Sequence, residues 1–163
     1  MEIRQAVRED VPVLLDIYNY EVVNGVATLD LTERTIEEWN EWFDEHNHEN
    51  HPLYVGVENG AILGYASLSK YRQKEAYKTT VELSIYVSSN HRKKGVGRAL
   101  MGYILDIAKH DNDTHCIVSV ITSGNEASKR LHSEFGFTYC GTIPEVGQKF
   151  GRMLDIDNYA LIV

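Results

Sequence analysis

Apolar and polar residues follow one another along this chain with periods that separate strands from helices. In VELSIYV (81–87), Val81, Leu83, Ile85 and Val87 fall on one side and Glu82, Ser84 and Tyr86 on the other, the period of two of a strand. From Val96 the period lengthens, and Val96, Ala99, Leu100, Tyr103, Ile104, Ile107 and Ala108 share one face of a helix. Val11, Leu14, Leu15, Tyr18 and Val22 do the same earlier, with Asp10 and Pro12 in the first turn. A capping box, Thr35 with Glu38, announces a second helix that turns Ile36, Trp39 and Phe43 inward. Residues 53–58 and 61–69 are β-rich runs joined at Asn59-Gly60, a dipeptide suited to a tight hairpin. CIVSVI (116–121) reads as a strand covered on both faces. Residues 2–7 form a first strand, 125–134 a short helix, and 137–143 and 153–162 the closing strands. The order is β-α-α-β-β-β-α-β-α-β-β with no linker or repeat, so residues 1–163 read as one domain.

Charge narrows the functions open to such a domain. With 24 acidic against 16 basic residues and a formal net charge of -8, the surface repels phosphodiester polymers and anionic lipid, so neither nucleic acid nor membrane is an expected partner. Cys116 and Cys140 form no C-x-x-C, which favours free thiols in a reducing, cytoplasmic setting over a disulfide framework. The opening MEIRQAVRED mixes charges where a secretory signal carries an apolar run, and no stretch approaches the roughly 18 apolar residues of a spanning helix.

Against that acidic background, HRKKGVGRAL (91–100) concentrates positive charge beside flexible backbone. A strand runs in and a helix runs out, so free N–H groups and the positive end of the helix dipole converge on one spot, which is how a helix entrance binds phosphate. Gly95 and Gly97 let the main chain approach a diphosphate, and Arg92, Lys93, Lys94 and Arg98 surround it with charge. The spacing fits neither a Walker A loop nor the dinucleotide fingerprint.

The R-x-x-G-x-G of residues 92–97, followed by N-x-x-S-x-x-L-H-x-x-x-G-F at 125–137, resembles the GNAT superfamily of acetyl-CoA-dependent N-acetyltransferases. The resemblance implies a GNAT fold: an α/β (α+β) arrangement with a mixed, mostly antiparallel twisted sheet of about seven strands and about four helices. It also implies that the strand before the loop carries a bulge and splays from the next, holding the pantetheine arm in the V between them. The main chain of Ile85, Tyr86 and Val87 then holds pantetheine. That of Lys93, Lys94, Gly95, Val96, Gly97 and Arg98 holds the pyrophosphate, and Asn125 with Ser128 bounds the cofactor arm from the other side. Acetyl-CoA is the implied cosubstrate, with no metal.

Segments such as ATLD (27–30), YRQKEAY (71–77), TVELSIYV (80–87) and VGQKFGRMLD (146–155) resemble a narrower branch, the phosphinothricin and methionine-sulfoximine/sulfone acetyltransferases. An amine acceptor must lose a proton before it attacks a thioester, and the departing thiolate gains one. Glu82, a few residues from the implied thioester site, is the candidate base. His132 stands where the branch usually carries histidine, and it, Tyr86 and Tyr103 are candidate acids, although the spacing of Tyr103 favours the core. Arg72 and Lys74 suit the carboxylate or phosphinate of an amino-acid-like acceptor, but Lys74 replaces the branch's arginine and offers a point charge in place of a fork. Leu29 replaces its phenylalanine and alters the wall of the implied pocket. His46, His48 and His51 in HNHENH lack a regular ligand spacing and read as a solvated loop. The expected activity is acetylation of the α-amino group of a small amino acid analogue. Acetylation of a protein or peptide amine, and an acyl-CoA sensor without chemistry, are the rivals. A homodimer is open to it, as relatives often form one.

Overall fold

In the computed structural model, which describes all 163 residues, seven strands form one sheet in the order β1-β2-β3-β4-β5-β7-β6. They are β1 (Glu2–Gln5), β2 (Leu53–Glu58), β3 (Ala61–Lys70), β4 (Thr80–Val87), β5 (Cys116–Thr122), β6 (Thr138–Lys149) and β7 (Arg152–Ile162). Four helices accompany them: α1 (Val11–Asn24), α2 (Ile36–Asp44), α3 (Val96–His110) and α4 (Glu126–Glu134). The element order is the one expected from the pattern, and the mixed seven-stranded sheet with four helices is the one the resemblance implies. No helix is long and apolar enough to cross a membrane.

Local chemistry sets most boundaries. Thr35 Oγ1 accepts from the Glu38 N–H at 3.2 Å and Glu38 Oε2 from the Thr35 N–H at 2.9 Å, so α2 opens on the anticipated capping box. Asn59 and Gly60 both have positive φ, 51° and 79°, as the β2–β3 hairpin requires. The β6–β7 hairpin uses the same device at Phe150 and Gly151, with φ of 53° and 69°. Here the closing strand runs past the expected residue 143 to Lys149. Pro144 and Gly147 look like an end in sequence, but the strand passes them through a register shift between Ile143 and Gly147. The Glu145 N–H bonds Asp155 Oδ1 at 2.7 Å there, which pins the irregularity.

Two cores flank the sheet. On one face Leu100, Met101, Ile104 and Leu105 of α3 pack against Val81, Leu83 and Ile117. On the other, Leu14 of α1 and Trp39 of α2 pack against Val55 and Tyr65. Two expected core positions face outward instead: Ile36 is 37% exposed and Tyr103 is 38% exposed, its ring 4.9 Å from Tyr54. Ile36 opens α2, before that helix reaches the sheet, and Tyr103 sits at the edge of the α3 stripe.

One junction departs from antiparallel pairing. β4 and β5 run parallel and pair only from Thr80↔Cys116 to Glu82↔Val118. β5 stays paired with β7 as far as Thr122↔Ile156, while β4 from Leu83 onward has no partner in β5. The two strands therefore splay into a V. The expected bulge is absent from β4, which pairs with β3 in unbroken register from Gly64↔Val87 to Lys70↔Val81; the nearest irregularity lies between Gly56 and Val57.

Candidate active site

The basic loop leaves β4 at Val87, passes a 3-10 turn at Ser89–His91 and enters α3 through Gly95. Lys93 and Gly95 have φ of 61° and 82°, and no side chain caps the helix, so the first N–H groups of α3 stay free for an external acceptor. A Cβ at Gly97 meets only side chains at 3.7 and 3.8 Å, ordinary contact distances, so the fold itself does not demand glycine there. The cations divide. Lys93 and Lys94 are exposed and form no ion pair, whereas Arg98 pairs with Glu134. Arg92 turns away toward α1, where it pairs with the buried Glu21 and lies over the Tyr20 ring.

Beyond Glu82 β4 has no ladder partner in β5, so Ile85, Tyr86 and Val87 line one arm of the V, where the Val87 carbonyl accepts from Arg92 Nε at 3.5 Å. Asn125 caps α4, its Oδ1 accepting from the Ser128 N–H at 3.3 Å. His132 is buried on the face of the sheet that α3 covers. Its Nδ1 donates to the Ser128 carbonyl at 2.7 Å, which leaves Nε2 to accept from Ser119 Oγ at 2.7 Å. Burial holds its imidazole below the ordinary value. Both nitrogens are engaged within the fold, so His132 ties α4 to β5 and has no proton to give in this arrangement.

The other face carries a row of polar groups. Cross-strand pairing sets Tyr65 beside Tyr86, Ser67 beside Ser84 and Ser69 beside Glu82, all six directed toward α1 and α2. Burial pushes the Glu82 carboxyl up from its ordinary value. Beside it a cavity of about 480 Å³ is lined by Tyr65, Ser67, Ser69, Ser84 and Tyr86 from the sheet and by Trp39 and Trp42 from α2. Tyr18 closes one wall; it bonds Thr28 and Asp30, and burial, helped by Asp30, pushes its phenol up to about 12.

The segment between α1 and α2 is fastened to the β6–β7 hairpin. Lys149, buried, donates from Nζ to the carbonyls of Thr28 at 2.9 Å and Glu21 at 3.3 Å, and Leu29 packs so closely on Gly147 that a Cβ there sits 2.8 Å from its Cδ1. Leu29 thus meets the hairpin and does not line the cavity. Arg72 is exposed, stacked over Tyr71 and Tyr77 at 5.0 and 5.7 Å, and Lys74 precedes the turn at Glu75–Tyr77; neither reaches the cavity.

Sequence reasoning missed Trp39, Trp42, Tyr65, Ser67 and Ser69 as a site, although the alternation of Tyr65, Ser67 and Ser69 with Ala66 and Leu68 signals a polar sheet face. It also misplaced His46, which is 5% exposed. Its Nδ1 meets the Trp42 carbonyl at 2.7 Å and its Nε2 Ser69 Oγ at 2.8 Å, and burial lowers its imidazole to about 4. His48 and Glu49 do lie at the surface, with His51 half-buried, and their ligand atoms stand within 4.8 Å of one another. That loop borders a hollow of about 520 Å³ at the far end of α3, away from the V.

Residues 16–137 match the family model described as "Acetyltransferase (GNAT) family". The chain belongs to this family. It is 38% identical over 158 residues to the L-methionine sulfoximine/L-methionine sulfone acetyltransferase of Salmonella typhimurium, covering 96% of this chain and 91% of that one. Among solved structures, the ribosomal-protein-alanine N-acetyltransferase from Brucella melitensis superposes with a TM-score of 0.96 at 38% identity, covering all of both chains. A phosphinothricin acetyltransferase from Sinorhizobium meliloti, in complex with acetyl-CoA, does so at 0.94 and 32% identity, over 99% of this chain and 88% of that one.

Proposed function

We propose that this GNAT enzyme moves the acetyl group of acetyl-CoA to the α-amino group of a small amino acid analogue, with Glu82 as general base. The observation that carries the reading is the juxtaposition of three things: the V after Glu82, the uncapped entrance of α3, and a cavity of about 480 Å³ bordering the same stretch of β4. Main-chain groups of Ile85, Tyr86 and Val87 bind pantetheine as an added strand would. The amides of residues 93–98, with Lys93 and Lys94, take the diphosphate. Asn125 and Ser128 bound the arm from α4.

With the thioester so held, Glu82 takes a proton from the acceptor ammonium, directly or through water. The freed nitrogen lone pair attacks the acyl carbon; the C–N bond forms, the C–S bond breaks, the sulfur leaves with its electron pair, and the second proton shed by the nitrogen passes through water to the thiolate, giving a neutral amide and CoA thiol. Tyr86, whose phenol burial holds well above its ordinary value, keeps its proton at neutral pH and is the hydrogen-bond donor we assign to the departing sulfur. Arg72 and Lys74, on the loop that follows Ser69, serve the acceptor carboxylate. Release of CoA thiol over a panel of amino acid analogues tests the reading, and no release from any amine above background refutes it. Turnover confined to peptide N-termini favours the protein-directed rival.

We assign the enzyme to the reducing cytoplasm on its two free cysteines. A homodimer is supported by the apolar side chains exposed on the edge hairpin, Ile143, Val146, Phe150 and Met153, and light scattering on the eluted protein decides it.

A further inference from the structure

HNHENH (46–51) has the polar composition of a solvated loop, but the fold fastens it on several sides. The Asn47 N–H donates to the His51 carbonyl at 2.8 Å and the His51 N–H to the His48 carbonyl at 3.1 Å. Asn47 Nδ2 donates to the Ala6 carbonyl at 3.1 Å, and its Oδ1 accepts from the Leu53 N–H at 3.0 Å. Buried Asn50 donates to the carbonyls of Lys78 and Asp113 at 3.0 and 3.2 Å. Asn47 and Glu49 take φ of 62° and 49°, a left-handed backbone that these fastenings maintain. The turn is thus shaped by the rest of the chain, before any ligand arrives.

That shape gathers three metal-ligating groups. His48, Glu49 and His51 each offer a ligand atom within 4.8 Å of the other two, and the two imidazole centroids stand 6.2 Å apart. The Asp44 carbonyl lies 3.1 Å from His48 Nε2, and a carbonyl only accepts, so Nε2 carries the proton and Nδ1 keeps its lone pair. Metal-binding histidines are commonly oriented in this way, by an acceptor on the nitrogen that does not ligate. His46 differs: both its nitrogens are bonded, to Trp42 and Ser69, and it takes no part. The adjoining hollow at the far end of α3 favours a cation. Glu49, Asp106 and Asp111 line it with His48 and His110, and no lysine or arginine does. Around His51, Lys70 and Glu45 offset one another.

We propose that His48, Glu49 and His51 form a peripheral site for a divalent cation of the zinc class, bound through two imidazoles and one carboxylate with water completing the shell. Two nitrogens and one oxygen suit zinc, cobalt or nickel, and fall short of the roughly six to eight oxygens that calcium takes. The site lies away from the V, so the ion fastens the connection between α2 and β2 and takes no part in acetyl transfer.

Calorimetry with Zn2+ tests it, on tag-free protein first stripped by a chelator and exchanged into chelator-free buffer. Binding should saturate near one ion per chain, and Mg2+ should give no comparable heat. His48→Ala, His51→Ala and Glu49→Gln alter exposed or half-buried groups, and each should weaken zinc by about tenfold or more. Glu49→Gln is nearly isosteric, so it keeps the test open should a histidine variant lose its fold. Saturating Zn2+ should raise the melting temperature of the wild type and leave that of the double variant His48→Ala/His51→Ala unchanged. No measurable binding by the wild type overturns the proposal. So does zinc held as tightly by the variants, which would place it elsewhere, as on the exposed Cys140.

Discussion

Acidifying the protein should uncover the energetic role of His46. Its ring is packed between Trp42 and Ser69, with His48 and His51 adding positive charge nearby when protonated. The folded imidazole accepts a proton only near pH 4, against 6.5 for the free group. Between those values the unfolded chain binds the extra proton and the folded one does not. The stabilisation is therefore complete above pH 6.5 and is lost as pH falls toward 4. At about 1.4 kcal/mol per tenfold change in protonation, the full loss is about 3 kcal/mol, of which about 2 kcal/mol has gone by pH 5. Urea unfolding of the wild type and of His46→Gln, from pH 7 down to pH 4, measures it. Glutamine carries an amide donor and acceptor but does not titrate, so the stability gap between the two proteins should shift by about 2 kcal/mol against the wild type between pH 7 and pH 5. His132, also depressed by burial, is present in both and cancels. Parallel stability profiles would refute the reasoning and make His46 an ordinary polar residue.

Glu82→Gln should reduce kcat at neutral pH by about a hundredfold or more with acetyl-CoA affinity unchanged by calorimetry. Because burial raises the Glu82 carboxyl and the base works deprotonated, wild-type kcat/KM should climb with pH through a value above 4.5, a limb missing from the variant. Gly95→Ala forces a side chain to φ of 82°, so it should cost about 1 kcal/mol in urea unfolding as well as cofactor affinity. Gly97→Ala, which the fold accommodates, should leave stability within about 0.5 kcal/mol yet weaken acetyl-CoA in the same calorimeter. Lys149→Met leaves the Thr28 carbonyl without its donor, while that of Glu21 keeps the Gly25 N–H at 2.9 Å; a loss of about 1–3 kcal/mol and faster proteolytic cutting between residues 25 and 35 should follow.

The features legible in sequence are those set by neighbours a few residues apart. The alternation at 81–87, the helical stripe from Val96, the capping box at Thr35 and the Asn59-Gly60 turn all appear where local chemistry puts them. The cavity beside Glu82 was not legible, because α2 contributes Trp39 and β3 contributes Tyr65 and Ser67, and only the tertiary fold brings them together. Charge shows the same limit. HRKK reveals a density of cations, but not that Arg92 spends its guanidinium on Glu21, 71 residues away, or Arg98 on Glu134, 36 away. His46 was misread because a polar neighbourhood in sequence, HNHENH, says nothing of a tryptophan carbonyl and a serine hydroxyl waiting on either side of one ring.

The parting of β4 from β5 at Glu82 opens a slot in the middle of the sheet, where most open sheets offer hydrogen-bonding capacity only along their rims. A surface built from peptide groups is indifferent to which side chains hang from it. Residues bordering the slot are thereby free to vary without losing whatever docks there, and their variation can retune the neighbouring cavity. One backbone can in this way serve many amines while its other ligand stays the same.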